Sequence, residues 1–167
     1  MYLVLAEQRK GEAMTQDVTE RNRFEVLGIE LEWRLRRSDT LGHYCVMTAT
    51  MPPGTGVPLH QHPEQEAFFI LDGEPEFAVE NGGLRWTHIH PGEMVNIPPD
   101  AMHGFRNAGD RSVKILLTCE GGLGRFFEEA GTPLADDQSP SRDLSPETIQ
   151  RVLEIAKRLG QRFPEHA

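Results

Sequence analysis

The chain has 167 residues, 38% of them hydrophobic, with 17 basic and 26 acidic side chains and a net charge of −9. That length suits one domain with a real core, and the acidic balance argues against non-specific binding to nucleic acid or an anionic membrane. No apolar run approaches the ~20 residues a transmembrane helix needs, so the expectation is a cytoplasmic protein with neither nucleic acid nor membrane as partner.

At the start, Tyr2 to Leu5 could form a short strand, and Glu7 to Asn22 is polar without period and reads as loop. The opening patch has no preceding basic region and no small-residue cleavage site, which makes a poor signal peptide, and Met14 offers an alternative start. Phe24 to Arg36 alternates apolar and polar residues and predicts a strand, bent or bulged at Gly28. Ser38 to Gly42 reads as a turn and Tyr44 to Met51 as a second strand, stopped by Pro52-Pro53-Gly54. The uncharged run Ala67 to Leu71 predicts a strand buried on both sides, ended by Gly73. Phe77–Glu80 and Leu84–His90 predict a hairpin across Asn81-Gly82-Gly83. Met94–Ile97, His103–Asn107 and Val113–Cys119 complete the strands, each set off by turn residues such as Pro91-Gly92 and Pro98-Pro99-Asp100. Many short strands between turns argue for a sandwich or barrel.

Helices come late. Gly124 to Ala130 predicts a short one, ended by Gly131 and Pro133, and Ala135 to Asp143 is a polar linker. Ser145 reads as an N-cap, Pro146 as the first helical residue and Gly160 as the stop. Between them Ile149, Val152, Leu153, Ala156 and Leu159 form an apolar stripe that must be buried on the sheet or on a partner. The chain thus divides into an N-terminal strand and loop (1–22), a barrel (23–133) and a linker with an amphipathic helix (134–167).

The chemistry concentrates in four side chains. His60 and His62 are two apart and share a strand face. A turn at Pro63 brings Glu66 back at the head of the next strand, and His103 follows the Pro98-Pro99 turn. Imidazole and carboxylate together suit one borderline divalent transition metal per chain: Fe, Mn, Ni, Cu or Zn. The two cysteines, Cys45 and Cys119, lie in separate predicted strands and away from this cluster. A thiolate-bound structural zinc is therefore disfavoured, and the cysteines default to reduced core thiols, although spacing does not decide between that and a disulfide.

Gly54, His60, His62, Glu66 and Gly73 match at every position the first signature of the cupin family: Gly, five residues, His-x-His, three or four residues, Glu, six residues, Gly. Gly92, Pro98, His103 and Asn107 match the second signature, with Asp100 where the family has Gly. Two spaced matches in order make a specific signal. The chain resembles the small single-domain bacterial cupins likened to quercetin dioxygenase, best over residues 24–133. The resemblance implies an all-β fold, a double-stranded β-helix (cupin, jelly-roll) barrel, here with a C-terminal α-helix. It implies that His60, His62, Glu66 and His103 hold the metal and leave a position open. It also implies a dioxygenase-type oxidoreductase acting on a small metal-chelating enol, phenol or diketone, with Glu66 as catalytic proton acceptor.

Phe68 and Ile70 share parity with Glu66, and Phe105 with His103. These three read equally as ordinary core and as a substrate-binding wall. Phe69 and Leu71 face the other way, which with the N-terminal strand and the tail helix predicts a homodimer. Glu64 reads as a solvated loop residue rather than a fifth ligand, and His88 and His90 as a surface pair rather than a second metal site. No G-x-S-x-G, P-loop or dinucleotide fingerprint is present, and neither cysteine is flanked by histidine, so a Ser or Cys hydrolase is disfavoured. Two rivals to an oxygenase stay open: a small-molecule or metal-binding module without turnover, and an isomerase or lyase using the metal as Lewis acid.

Overall fold

Strands of alternating burial form the two walls of the molecule. The structure is a computed structural model that describes residues 22–80, 83–141 and 144–164. The expected Tyr2–Leu5 strand, most of the following loop and the Asn81-Gly82 part of the hairpin turn lie outside the described residues. In chain order the elements are β1 (Arg23–Val26), β2 (Ile29–Leu35), a 3-10 turn (Arg37–Thr40), β3 (Tyr44–Met51), β4 (Gly56–His60), β5 (Glu66–Asp72) and β6 (Glu76–Val79). Then come β7 (Trp86–His88), β8 (Met94–Ile97), β9 (His103–Arg106), β10 (Val113–Glu120), α1 (Gly121–Ala130), β11 (Thr132–Pro133) and α2 (Pro146–Arg158).

One antiparallel sheet has the order β11-β1-β2-β3-β10-β5-β8, and the other β4-β9-β6-β7. Together they make the jelly-roll barrel, with a C-terminal helix, that the strand pattern and the signatures predict. Cys45, Met47, Ala49 and Met51 of β3 face Val113, Ile115, Leu117 and Cys119 of β10 in the core. Phe68, Phe77 and Phe105 bridge the two sheets, with ring centroids 5.0 to 5.2 Å apart.

Three expectations need correction, and one pairing was not expected. Phe24–Arg36 is not one bent strand but a hairpin: Val26 pairs with Ile29, and Leu27 and Gly28 both have positive φ, 48° and 79°. Two such residues make the tight turn that matches strand twist, but a leucine in that conformation carries no sequence signal. The Ala67–Leu71 run is not buried on both sides: Phe68 and Ile70 face the core, Phe69 is half-buried and Leu71 is 41% exposed. The helix expected from Gly124 begins at Gly121. Glycines are poor helix formers, yet here they allow close packing: a Cβ on Gly121 would sit 1.8 Å from the Gly42 carbonyl oxygen, and one on Gly124 2.2 Å from Cys45 Sγ. Finally, β11 pairs with β1 although its two residues carry no periodicity.

The tail helix forms as its caps predict. Ser145 accepts from the Thr148 amide at 3.2 Å, Pro146 opens the helix and Gly160 follows it at φ 94°. Val152 and Ala156 are buried on α1 and the sheet, whereas Ile149 at the start of the stripe stays exposed. Among the described residues no helix is long and apolar enough to cross a membrane.

Candidate metal centre

Two strands and two turns deliver the four expected ligands. β4 pairs with β9 so that His60 lies opposite His103, and the register shifts between Val57 and His60. Such an irregularity re-aims a side chain at the rim of a sheet. The chain leaves β4 at Gln61, keeps His62 on the same side and turns at Pro63. Glu66 then opens β5 between Cys119 of β10 and Ile97 of β8.

Asp100, where the cupin signature has Gly, adopts φ 61° and so supplies the left-handed turn itself. Its amide donates to the His62 carbonyl at 2.8 Å. Asn107, the last residue of the second signature, is 2% exposed, donates to the Met51 and Arg111 carbonyls and accepts from the Gly109 amide. It closes the turn that follows His103's strand.

One ring nitrogen from each of His60, His62 and His103 lies within 4.8 Å of the others. Glu66 Oε2 lies 3.4 Å from His62 Nε2 and 3.5 Å from His103 Nε2. All four residues are buried. The His60 and His103 Nδ1–H groups each donate to a carbonyl two residues back, Pro58 and Ala101, at 2.9 Å. That fixes the tautomer and leaves each Nε2 lone pair facing the centre.

Charge and burial compete at this point. Burial, then the neighbouring His103, push His60 down to about 4, so it is neutral at pH 7. Burial alone would raise Glu66, but the His103 and His62 imidazoles outweigh it and hold the carboxyl at about 2. Burial opposes a charge on His62, yet the Glu66 and Glu64 carboxylates overcome it and raise its pKa.

Both ring nitrogens of His62 and Nε2 of His103 are buried without a hydrogen-bond partner. An orphaned buried polar atom is costly, and three convergent imidazoles beside a carboxylate match the donor set of a divalent transition metal. The residues therefore fit the group that the spacing predicts.

Glu64 differs from the sequence expectation. Its side chain is only 16% exposed, and its carboxylate stands 3.6 Å from His62 Nδ1, too far for a hydrogen bond but close enough to favour a charge on that ring. Its place inside the ligand gap was the only signal. His88 and His90 are far more exposed, 60% and 58%, and pair with Glu76 and Glu74 on the surface. Cys45 and Cys119 are free and buried, directly opposite each other across β3 and β10.

A cavity of about 110 Å³ opens from the centre. Phe68 and Phe105 line it beside His60 and Glu66, while Ile70 is fully buried and is not on its wall. The rest of the wall comes from the inner face of the large sheet, from both helices, and from Gln161 and Phe163 after α2. The Phe163 ring stacks on His60 with centroids 6.2 Å apart. No sequence feature pointed to these last two residues.

Residues 47–119 match the Cupin domain family. The chain is 40% identical over 86 residues to the dimethylsulfoniopropionate lyase DddQ of Ruegeria pomeroyi, covering 52% of this chain and 40% of that protein. It is 33% identical over 75 residues to an acireductone dioxygenase of Bacillus pumilus, covering 42% of this chain and 43% of that one. The chain thus spans about two-fifths of the length of these curated relatives. Among solved structures, ectoine synthase from P. lautus superposes with a TM-score of 0.57 at 20% identity, over 80% of this chain and 96% of that one. A protein described as a predicted oxalate decarboxylase from Thermotoga maritima gives 0.56 at 22%, over 64% and 98%. At those identities the likeness concerns the fold. The domain match and these neighbours support the cupin superfamily.

Proposed function

We propose that the chain is a metal-dependent dioxygenase-type oxidoreductase acting on a small metal-chelating enol, phenol or diketone. One observation carries the reading: three imidazoles and a carboxylate converge, with unsatisfied nitrogens, at the end of an apolar cavity. A closed structural site would have no reason to open onto such a space. His60, His62, His103 and Glu66 would hold one divalent metal, which when bound supplies a Lewis-acidic and, for Fe, Mn, Ni or Cu, redox-capable centre.

The chain's own residues do the rest. His60 is neutral at pH 7 and so ready to bind without losing a proton. Glu66 is anionic and lines the cavity, which supports it as the acceptor of a proton from an enol or phenol. Phe68, Phe105 and Phe163 exclude water from the reacting face. The relatives named acireductone dioxygenase support an oxygenase.

The similarity to a protein named as a lyase favours a second reading, elimination without oxygen consumption. The experiment is elemental analysis of protein purified without added metal, followed by oxygen uptake with a flavonol and simple diketones. Stoichiometric metal with oxygen consumed supports the oxygenase. Metal-dependent product formation without oxygen uptake supports the lyase, and protein free of transition metal that cannot be loaded overturns both.

A further inference from the structure

Among the described residues, three of the side chains lining the cavity are polar: His60, Glu66 and Gln161. The first two belong to the metal centre. Gln161 does not. It is 7% exposed, and its side-chain amide has no hydrogen-bond partner among the described residues. An amide offers two donors and an acceptor, which stay available to a ligand in the cavity that Gln161 lines.

The backbone around it is firmly held. The Gln161 amide N–H donates to the Ala156 carbonyl at 2.9 Å. The next residue, Arg162, exchanges two backbone hydrogen bonds of 2.9 Å with Gln61, between the two histidines of the ligand pair. The Arg162 guanidinium is paired with Asp100, and Phe163 rests on His60. Gln161 is thus presented by an anchored segment, not by a loose tail.

Among the described residues the wall holds no Lys or Arg to meet an anion and no carboxylate other than Glu66 to meet a cation. An unpaired charge brought into such a space would forfeit its hydration.

We infer that Gln161 is the specificity-determining residue of the cavity. The substrate it selects is an uncharged molecule with a small apolar body, a chelating end at the metal centre and a hydroxyl or carbonyl that pairs with the Gln161 amide. The chelating end rests on the proposed metal site; the apolar body and the Gln161 contact do not.

The test uses 1-phenylbutane-1,3-dione, its ortho-, meta- and para-hydroxyphenyl derivatives, oxalate and dimethylsulfoniopropionate as probes. Binding is measured by calorimetry on the metal-loaded full chain, on chelator-treated chain, and on Gln161→Leu and Gln161→Met. The neutral diketones should bind saturably and the two charged probes should not. At least one hydroxy derivative should bind more tightly than the parent. Both variants should erase that advantage over the unsubstituted diketone, about three- to tenfold for one neutral hydrogen bond, with metal content unchanged. Methionine keeps the length of glutamine, and circular dichroism checks the fold of both variants.

Variants that bind every probe as the parent protein does, or oxalate binding as tightly as the diketones, overturn the inference. So does the absence of saturable binding by any neutral probe. If chelator-treated and loaded protein bind the diketones equally and the Gln161 effect persists, the metal reading falls and the recognition role stands. If metal loads normally and the Gln161 variants are indifferent, the reverse holds.

Discussion

His60 and His103 stand opposite each other across the β4–β9 pair, with ring centroids 4.2 Å apart. Each donates Nδ1–H to the carbonyl two residues before it, so each presents Nε2 to the same point. The same local device, used once on each strand, sets both ligands. His62 differs: its Nδ1 has no hydrogen bond among the described residues, and the Glu64 carboxylate stands 3.6 Å away.

That difference predicts graded metal loss. His62→Ala or His103→Ala should strip most of the metal, because a directly coordinating imidazole is removed. Glu64→Gln should weaken metal affinity by less than the roughly 10- to 100-fold that loss of a hydrogen-bonded outer partner costs, because Glu64 stands 3.6 Å from His62 Nδ1 and acts on it through charge alone. Competition with a chromophoric chelator measures all three, and unchanged affinity in Glu64→Gln would remove Glu64 from the site.

Replacing Glu66 with Gln keeps an oxygen donor but removes charge and basicity. Metal should be partly retained while turnover of an oxidised substrate falls by about 10²–10⁴-fold, as for loss of a general base. Full turnover at full occupancy would show that Glu66 is not the proton acceptor.

The chelator-treated protein should lose stability in mild acid. His60 sits at about 4 in the fold against 6.5 in the free side chain, so between those values the unfolded chain binds a proton that the fold excludes. Glu66 adds a second loss between pH 4.5 and about 2, where only the unfolded carboxyl is protonated. His62 is raised and works the other way, its contribution full below 6.5 and fading as pH rises through its folded value. Urea midpoints should therefore drop from pH 6.5 to 4, and His60→Gln should flatten that slope. A midpoint constant from pH 7 to 4.5 in the parent protein would contradict the assignment.

We expect a homodimer. Phe69 and Leu71 point away from the barrel interior, and Met94, the cross-strand partner of Phe69, is 63% exposed beside them. An apolar strip of this kind on a sheet face marks an interaction surface. Light scattering should give twice the 18.8 kDa chain mass, and Leu71→Lys combined with Met94→Lys should return it to one. A parent protein of single-chain mass at micromolar concentration would exclude the dimer.

The histidine cluster and the barrel were legible in the sequence because both depend on local rules. Residues two apart share a strand face, a turn residue reverses the chain, and alternation marks a strand with one covered side. The ring nitrogens of His60, His62 and His103 lie together, with Glu66 beside His62 and His103, and β3, β8, β9 and β10 lie within a residue of their expected bounds. Close approaches were not legible. Gly121 and Gly124 look like helix breakers until Gly42 and Cys45 are seen beside them, and Leu27 shows its turn only through φ. Parity put Phe68 and Ile70 on one face, but only the packed barrel shows that Phe68 meets the cavity and Ile70 does not. Gln161 and Phe163 lie almost a hundred residues from the ligand pair, in a segment without any motif, and no periodicity links such positions. The tertiary structure alone brings them there, because Arg162 pairs with Gln61 and Asp100 and so holds its neighbours beside the site.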